Sequence, residues 1–167
     1  MLNIEYKYSG LERAISKLEK YYGKIITSNE ATGKFARDLI LSRVATGKTV
    51  TNVKMKYTPK GGKKPQKVIG DYSASHGSIR SKRGLGTAPM DLKFTGGLYN
   101  AFSYRKSQTA STISLRLYIK NSSTRNKNPI SYPKLVNKFE ERFGSRIFYP
   151  SMSEISQIKK FYKNSLR

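Results

Sequence analysis

The sequence lacks cysteine and tryptophan, has a single histidine, and contains only 10 Asp and Glu residues among its 167. Without cysteine, the chain has no disulfides, no thiolate catalysis and no Cys-ligated zinc. A single histidine excludes a cluster of imidazole ligands. No apolar run approaches the roughly 18 residues of a membrane helix, and the N-terminus lacks the basic-then-apolar pattern of a signal peptide. We therefore expect a soluble, non-secreted protein that does not enter membranes.

The scarcity of acidic residues also bears on catalysis. Asp71 and Asp91 are the only acids between Asp38 and Glu140, and neither has a second carboxylate at the spacing of a metal site or an acid/base pair. We interpret each as a cap or turn former, and His76 as a hydrogen-bonded or surface histidine rather than a catalytic base. We expect no enzymatic activity, no metal and no cofactor.

What the sequence does have is positive charge, with 33 Lys and Arg residues and a formal net charge of +23. Residues 1–46 contain 8 basic and 5 acidic groups, residues 47–96 contain 11 and 2, and residues 97–167 contain 14 and 3. The excess therefore lies beyond the first helical region. A charge this far from zero predicts an acidic partner, either nucleic acid or an acidic protein surface.

Two basic clusters are the candidate contacts with that partner. The first lies among Pro and Gly residues in 48–71, a composition that predicts a long, mobile loop, and the second follows soon after. Their members are Lys54, Lys56, Lys60, Lys63, Lys64 and Lys67, and then Arg80, Lys82 and Arg83. They are either a solvated surface with no fixed partner or contacts to phosphate backbones, which are independent of sequence and dependent on salt.

Apolar periodicity predicts helical structure at the N-terminus, starting near Ser9 or Gly10. Ser28 and Asn29 resemble a break and a new cap, so one kinked helix and two helices both remain open. Gly47 supplies a stop. The positions at helical spacing are Leu11, Ile15, Leu18, Tyr22 and Ile25, then Phe35, Leu39, Ile40 and Val44.

Alternating apolar residues over 112–119 predict a strand with one buried face, and 102–107 is its expected antiparallel partner. Short extended pieces are also expected at 50–53 and 146–150. Asp91–Phe102 should form a turn or short helix that places Leu92, Phe94, Leu98 and Phe102 inward.

Two helices are predicted in the last third of the chain. Tyr132 and Pro133 open the first, which ends at Gly144, and Ser151 with Glu154 has the spacing of a capping box at the start of the second. The order of elements predicts a single α+β domain over 1–167, with N-terminal helices, a small antiparallel β-sheet, a long basic loop and a C-terminal helix.

Two segments resemble a known pattern. Tyr72–His76, a basic spacer through Arg83 and then Met90–Phe102 resemble the "YS…, basic spacer, VDL-x-x-TG-x-L" pattern of the tail-completion and head–tail joining (neck) proteins of tailed bacteriophages. Phe139–Ser151 is similar to that family's "E-FG…R-x-F-x-P" segment before the last helix. The resemblance covers roughly residues 11–162, and the matching turn and packing positions are Asp91, Leu92, Thr95, Gly96, Leu98, Phe143, Gly144, Phe148 and Pro150.

The resemblance implies a virion structural protein without catalytic activity, assembled in the host cytoplasm. It implies a homo-oligomeric ring, six- or twelve-fold, at the portal–tail (neck) junction. Its partners would be portal or adaptor proteins, tail proteins and the packaged DNA. The position of the ring stays open among tail terminator, head–tail adaptor and neck collar.

The alternative is a free, sequence-independent nucleic-acid-binding protein. Its support is the sequence pI of about 10.3 and the Lys/Gly/Pro loop, and no known nucleic-acid-reading motif accompanies them. A basic nuclease or toxin is disfavoured because the acid/base groups are missing.

Overall fold

The computed structural model describes residues 9–59, 67–93, 96–109, 112–124 and 129–167. These residues form an α+β fold, as predicted. The elements, in chain order, are α1 Ser9–Ala45, β1 Val68–Ile69, β2 Tyr72–Ser73, α2 Ala74–Lys82, α3 Gly97–Ala101, β3 Phe102–Gln108, β4 Ile113–Ile119, α4 Tyr132–Phe143 and α5 Met152–Ser165.

Helix α1 is continuous over 37 residues, which answers the question of one helix or two. Ser28 and Asn29 do not cap a new helix, because Asn29 Nδ2 donates to the carbonyl of Ile25 at 3.0 Å and Ser28 Oγ donates to the carbonyl of Ser165 at 2.9 Å. Both side chains are thus accommodated within an unbroken helix. The helix ends at Ala45, two residues before Gly47. The φ of Gly47 is 73°, in the left-handed region that glycine adopts more readily than residues with a Cβ.

The predicted hairpin is confirmed. β3 and β4 pair antiparallel, from Phe102 opposite Ile119 to Gln108 opposite Ile113. The hairpin packs against α1, and α5 packs against α1 as well. The buried core joins these elements and includes Ile40, Val44, Met55, Phe102 and Ile147.

The other two predicted extended pieces are wrong. Residues 50–53 form a tight turn closed by a hydrogen bond from the Thr49 amide to the Val53 carbonyl at 2.9 Å, and Asn52 has a φ of 64°. Residues 146–150 form no strand, because the Arg43 guanidinium binds the carbonyls of Ile147 and Tyr149 at 2.9 and 2.7 Å. A side chain, rather than a neighbouring strand, satisfies this backbone.

The basic stretch 48–71 is not simply a projecting loop. Residues 60–66 lie outside the described residues, but Thr49 and Met55 are fully buried. The amide of Tyr57 donates to the carbonyl of Asp71 at 2.7 Å. β1 and β2 form a second, two-stranded antiparallel sheet, on which α2 packs. This β1–β2–α2 unit was not predicted, and it anchors both ends of the stretch.

The ends of α4 and α5 follow the prediction. Gly144 caps α4 with a φ of 61°. At the start of α5, Ser151 Oγ accepts from the Glu154 amide at 3.3 Å, and Glu154 Oε2 accepts from the Ser151 amide at 2.6 Å. The capping box is therefore complete.

Candidate functional site

Arg80 lies at the centre of the β1–β2–α2 unit, and its side chain is almost completely buried, with 1% of the residue exposed. Its guanidinium donates to the carbonyls of Gly86 at 2.7 Å and Lys93 at 3.1 Å. The guanidinium also lies over the Tyr72 ring, 4.5 Å from its centroid. Arg80 thereby fixes the irregular backbone of 86–93 to α2.

Asp91 is the acidic partner of Arg80. Its carboxylate accepts from Arg80 Nη2 at 3.2 Å and from the Tyr72 hydroxyl at 2.9 Å. The carboxylate also accepts from the amide of Lys93, and the Tyr99 hydroxyl donates to the Asp91 carbonyl. We call Tyr72, Arg80, Asp91 and Tyr99 the Arg80–Asp91 hub. It joins β2, α2, α3 and the 86–93 segment.

The electrostatics of the hub keep its tyrosines protonated. Burial, followed by the hydrogen bond to Asp91, raises the pKa of Tyr72 to about 12. Burial and the Asp91 charge raise the pKa of Tyr99 as well. Desolvation and the Arg80 cation lower the pKa of His76, whose ring stacks on Tyr72. At neutral pH both tyrosines therefore donate hydrogen bonds, and His76 adds no positive charge.

The prediction that Arg80 contacts DNA or a partner through an exposed basic loop is wrong. Its Nε, Nη1 and Nη2 donate to the carbonyls of Gly86 and Lys93 and to the Asp91 carboxylate, and the side chain is buried. Exposing it would leave Asp91 without its cationic partner. Arg80 stabilises the fold of this unit.

The other described members of the basic clusters are exposed. Lys54 is partly neutralised, because its Nζ lies 3.1 Å from Oδ1 of the buried Asp71. The predicted contacts at Lys60, Lys63 and Lys64 lie outside the described residues. The remaining exposed cations belong to the β1–β2–α2 unit or to the segments that adjoin it, and they are Lys56, Lys67, Lys82 and Arg83.

The family-like positions from the first segment lie in or beside the hub. Asp91 belongs to it, Leu92 packs against the core, and Leu98 is buried in α3. Gly96 precedes α3 with a φ of 75°. Thr95 lies outside the described residues.

The positions from the second segment lie on the opposite side of the same core. Phe148 packs on Phe102, with ring centroids 5.2 Å apart. Phe143 is half-buried at the end of α4, Gly144 caps that helix, and Pro150 is half-buried before the capping box of α5. The two segments, distant in sequence, thus share one core through the Phe102–Phe148 contact.

A cavity of about 750 Å³ lies between the hub and α4. Tyr72, His76 and Arg80 line one side, and Phe139 and Arg142 line the other. Its volume is within the range of roughly 300–1,000 Å³ of small-molecule sites. Among the described lining residues there is no carboxylate. Its aromatic and cationic walls suit an acidic or aromatic group.

The described residues contain no group of three or more His, Asp or Glu side chains placed to hold a metal ion. None of their helices combines the length and the apolar character needed to cross a membrane.

Sequence reasoning missed the structural roles of two arginines, the buried Arg80 and the half-buried Arg43. Arg43 Nε donates to Glu154 Oε1 at 3.0 Å, so the capping-box glutamate also ties α5 to α1. The sequence signal that could have indicated these ion pairs was the small number of acidic residues. In a chain this basic, Asp91 and Glu154 are the scarce carboxylates that a buried guanidinium requires.

Comparison of the chain with models of known protein families, with curated proteins and with solved structures finds no match. The resemblance to the phage neck proteins therefore rests on the sequence segments 72–102 and 139–151.

Proposed function

We propose that the chain is a structural subunit of a ring at the head–tail junction of a tailed bacteriophage, joining head to tail around the DNA channel. The observation that supports this most is that the two family-like segments, 72–102 and 139–151, form one packed unit through Phe102 and Phe148. Residues required for a shared fold would be placed in this way. In this role the chain is not an enzyme.

The charge of the chain supports a role beside DNA or an acidic protein ring. Copies with a formal charge of +23 repel one another, so assembly needs an acidic counterpart. The exposed cations near α2 supply contacts that are individually weak. In a ring, each contact is repeated in every copy, and the affinities reinforce one another through multivalency.

The test is the joining of tails to DNA-filled heads, with the chain supplied as a triple variant. Lys56, Lys67 and Lys82 are changed together to Gln, which removes three exposed charges near α2. The matched control changes Lys134, Lys138 and Lys159 to Gln, which removes three exposed charges from α4 and α5. We expect the first variant to reduce the yield of joined particles at least about tenfold, and the control to leave it within about twofold.

Equal yields of joined particles with both variants would show that the exposed cations near α2 do not contribute to joining. The absence of the chain from purified particles would contradict the proposed function itself.

A salt titration of DNA binding by the isolated chain distinguishes a ring subunit from the alternative, a free nucleic-acid-binding protein. That alternative predicts tight binding near physiological salt with a steep log–log slope, whereas a ring subunit should bind weakly as a monomer.

A further inference from the structure

The β3–β4 hairpin turns one of its two faces toward α1 and the other toward solvent. A Cβ at Gly33 in α1 would lie 2.4 Å from the Tyr104 ring and 2.8 Å from Leu115, so the face that carries these two side chains packs on α1. Side chains alternate between faces along a strand, and residues directly opposite each other share a face. The face that points away from α1, which we call the outer face, consists of Ser103, Arg105, Ser107, Ser114, Arg116 and Tyr118.

Two arginines lie at the centre of the outer face. The register places Arg105 directly opposite Arg116, so their Cβ atoms are roughly 4.5–5.5 Å apart. Both residues are exposed. Like charges directly opposite each other in a sheet are destabilising, so this pair lowers the stability of the hairpin when no anion is bound.

The chain does not neutralise these two charges. The sequence has no Asp or Glu between Asp91 and Glu140, and the ion pairs within the described residues include neither Arg105 nor Arg116. The scarce carboxylates are taken by other arginines, which are Arg37, Arg43, Arg80 and Arg146. The two guanidiniums of the outer face are therefore available to an anionic partner.

The remaining side chains of the outer face favour phosphate over an acidic protein surface as that partner. Three of them are serines and one is Tyr118, and their hydroxyls, like arginine guanidiniums, bind phosphate oxygens in DNA complexes. None of the six residues is aliphatic, whereas the core of a protein–protein interface is mainly apolar and depleted in serine. An arginine guanidinium also matches two phosphate oxygens with parallel hydrogen bonds.

We propose that the outer face of the β3–β4 hairpin binds the phosphate backbone of duplex DNA, with Arg105 and Arg116 as its charged contacts. A phosphate between the two guanidiniums replaces their mutual repulsion with attraction to a shared anion. The inference rests on the proposed function for its setting, the DNA channel, and names the element of each subunit that faces the DNA. Since it involves phosphates alone, the contact is independent of base sequence.

The experiment measures binding of the purified full-length chain to a short, fluorescently labelled DNA duplex by anisotropy. The salt series lies below physiological concentration, where weak binding by a monomer is measurable. One variant combines Arg105→Gln with Arg116→Gln, and the matched control combines Lys159→Gln with Lys160→Gln, which removes two exposed charges from α5. We expect the arginine variant to lower the magnitude of the log–log salt slope by about 1.8, equivalent to two phosphate contacts, and the control to lower it by less than about 0.5.

Equal reductions of the slope by the two double variants would overturn the proposal, because net charge alone would then explain the binding. Binding of poly-glutamate, measured in the same way, tests the protein alternative. Unchanged DNA binding together with weaker poly-glutamate binding would show that the outer face meets an acidic protein surface. No phage particle enters these measurements, so a failure here is distinguishable from a failure of the proposed function.

Two further readouts separate a DNA contact from a role in the fold. Removing the like-charge pair should raise the midpoint of urea unfolding, and a lower midpoint would show that the arginines serve the hairpin instead. A variant with Arg105→Lys and Arg116→Lys keeps both charges but loses the paired hydrogen bonds of the guanidiniums. It should restore the salt slope to within about 0.5 of the wild-type value, with weaker binding than wild type at low salt. A slope as low as that of the glutamine variant would contradict phosphate contacts at these positions.

Discussion

The two halves of α1 belong to one continuous helix, yet they differ in what covers them. In the second half, side chains four residues apart are all buried, and they are Ser28, Thr32, Ala36, Ile40 and Val44. In the first half, the apolar side chains of Ile15, Leu18 and Tyr22 are 48%, 67% and 44% exposed. One face of the second half is thus covered by the body of the protein, whereas apolar residues of the first half are exposed to solvent.

This difference shows that apolar periodicity alone does not distinguish a buried face of a helix from an exposed one. The second half faces the β3–β4 hairpin and α5, where space is limited. Gly33 shows this most clearly, because a Cβ there would lie 2.4 Å from the Tyr104 ring. From Glu12 to Lys24 in the first half, the side chains are exposed instead.

Breaking the Arg80–Asp91 hub should have the largest effect on stability, and this loss should be confined to the body of the protein. Arg80→Met keeps the apolar stem but removes the cation from Asp91 and the donors from two carbonyls. Loss of one partner of a buried pair costs about 3–5 kcal/mol of stability. We expect a loss near the lower end, about 3 kcal/mol, because Asp91 is partly exposed. Urea unfolding followed by tyrosine fluorescence measures it.

The control for this variant is Lys82→Met, two residues along the same helix on an exposed position. It should change stability by no more than about 0.5 kcal/mol. A loss of stability as small as that of the control would show that the hub contributes little to the stability of the protein.

An extra methyl group in the second half of α1 should have an intermediate effect. In Gly33→Ala the new Cβ would meet the Tyr104 ring and come within 2.8 Å of Leu115. Overpacking of this kind costs about 1–3 kcal/mol. Here the hairpin must move away from α1, so the midpoint of urea unfolding should fall. An unchanged midpoint would mean that the hairpin adjusts freely.

The elements that sequence reasoning predicted are those with strong local signals. The hairpin has a two-residue alternation, α4 has a glycine stop, and α5 has a capping box formed by Ser151 and Glu154. Each of these signals is satisfied by residues close in sequence. They are therefore visible without knowledge of the tertiary structure.

The elements that it missed depend on contacts between distant residues. The β1–β2–α2 unit has strands of two residues each, too short to show a period. Its stability comes from Arg80 and Asp91, eleven positions apart. Similarly, 146–150 looks like a strand, and only the Arg43 guanidinium from α1 explains why it is not. The exposed basic positions, by contrast, followed from composition alone.

The smallest effect should have the opposite sign, and it comes from the other glycine of α1 with a resolved environment. Gly23 has open space where Gly33 has the Tyr104 ring, so Gly23→Ala adds a methyl group without a clash. It should raise helix content by circular dichroism and stabilise the first half of α1 by up to about 1 kcal/mol. Because the same methyl group at position 33 should destabilise the protein by overpacking, opposite effects at the two glycines would follow from their difference in exposure. If Gly23→Ala instead lowered helix content, the two halves of the helix would differ in more than exposure.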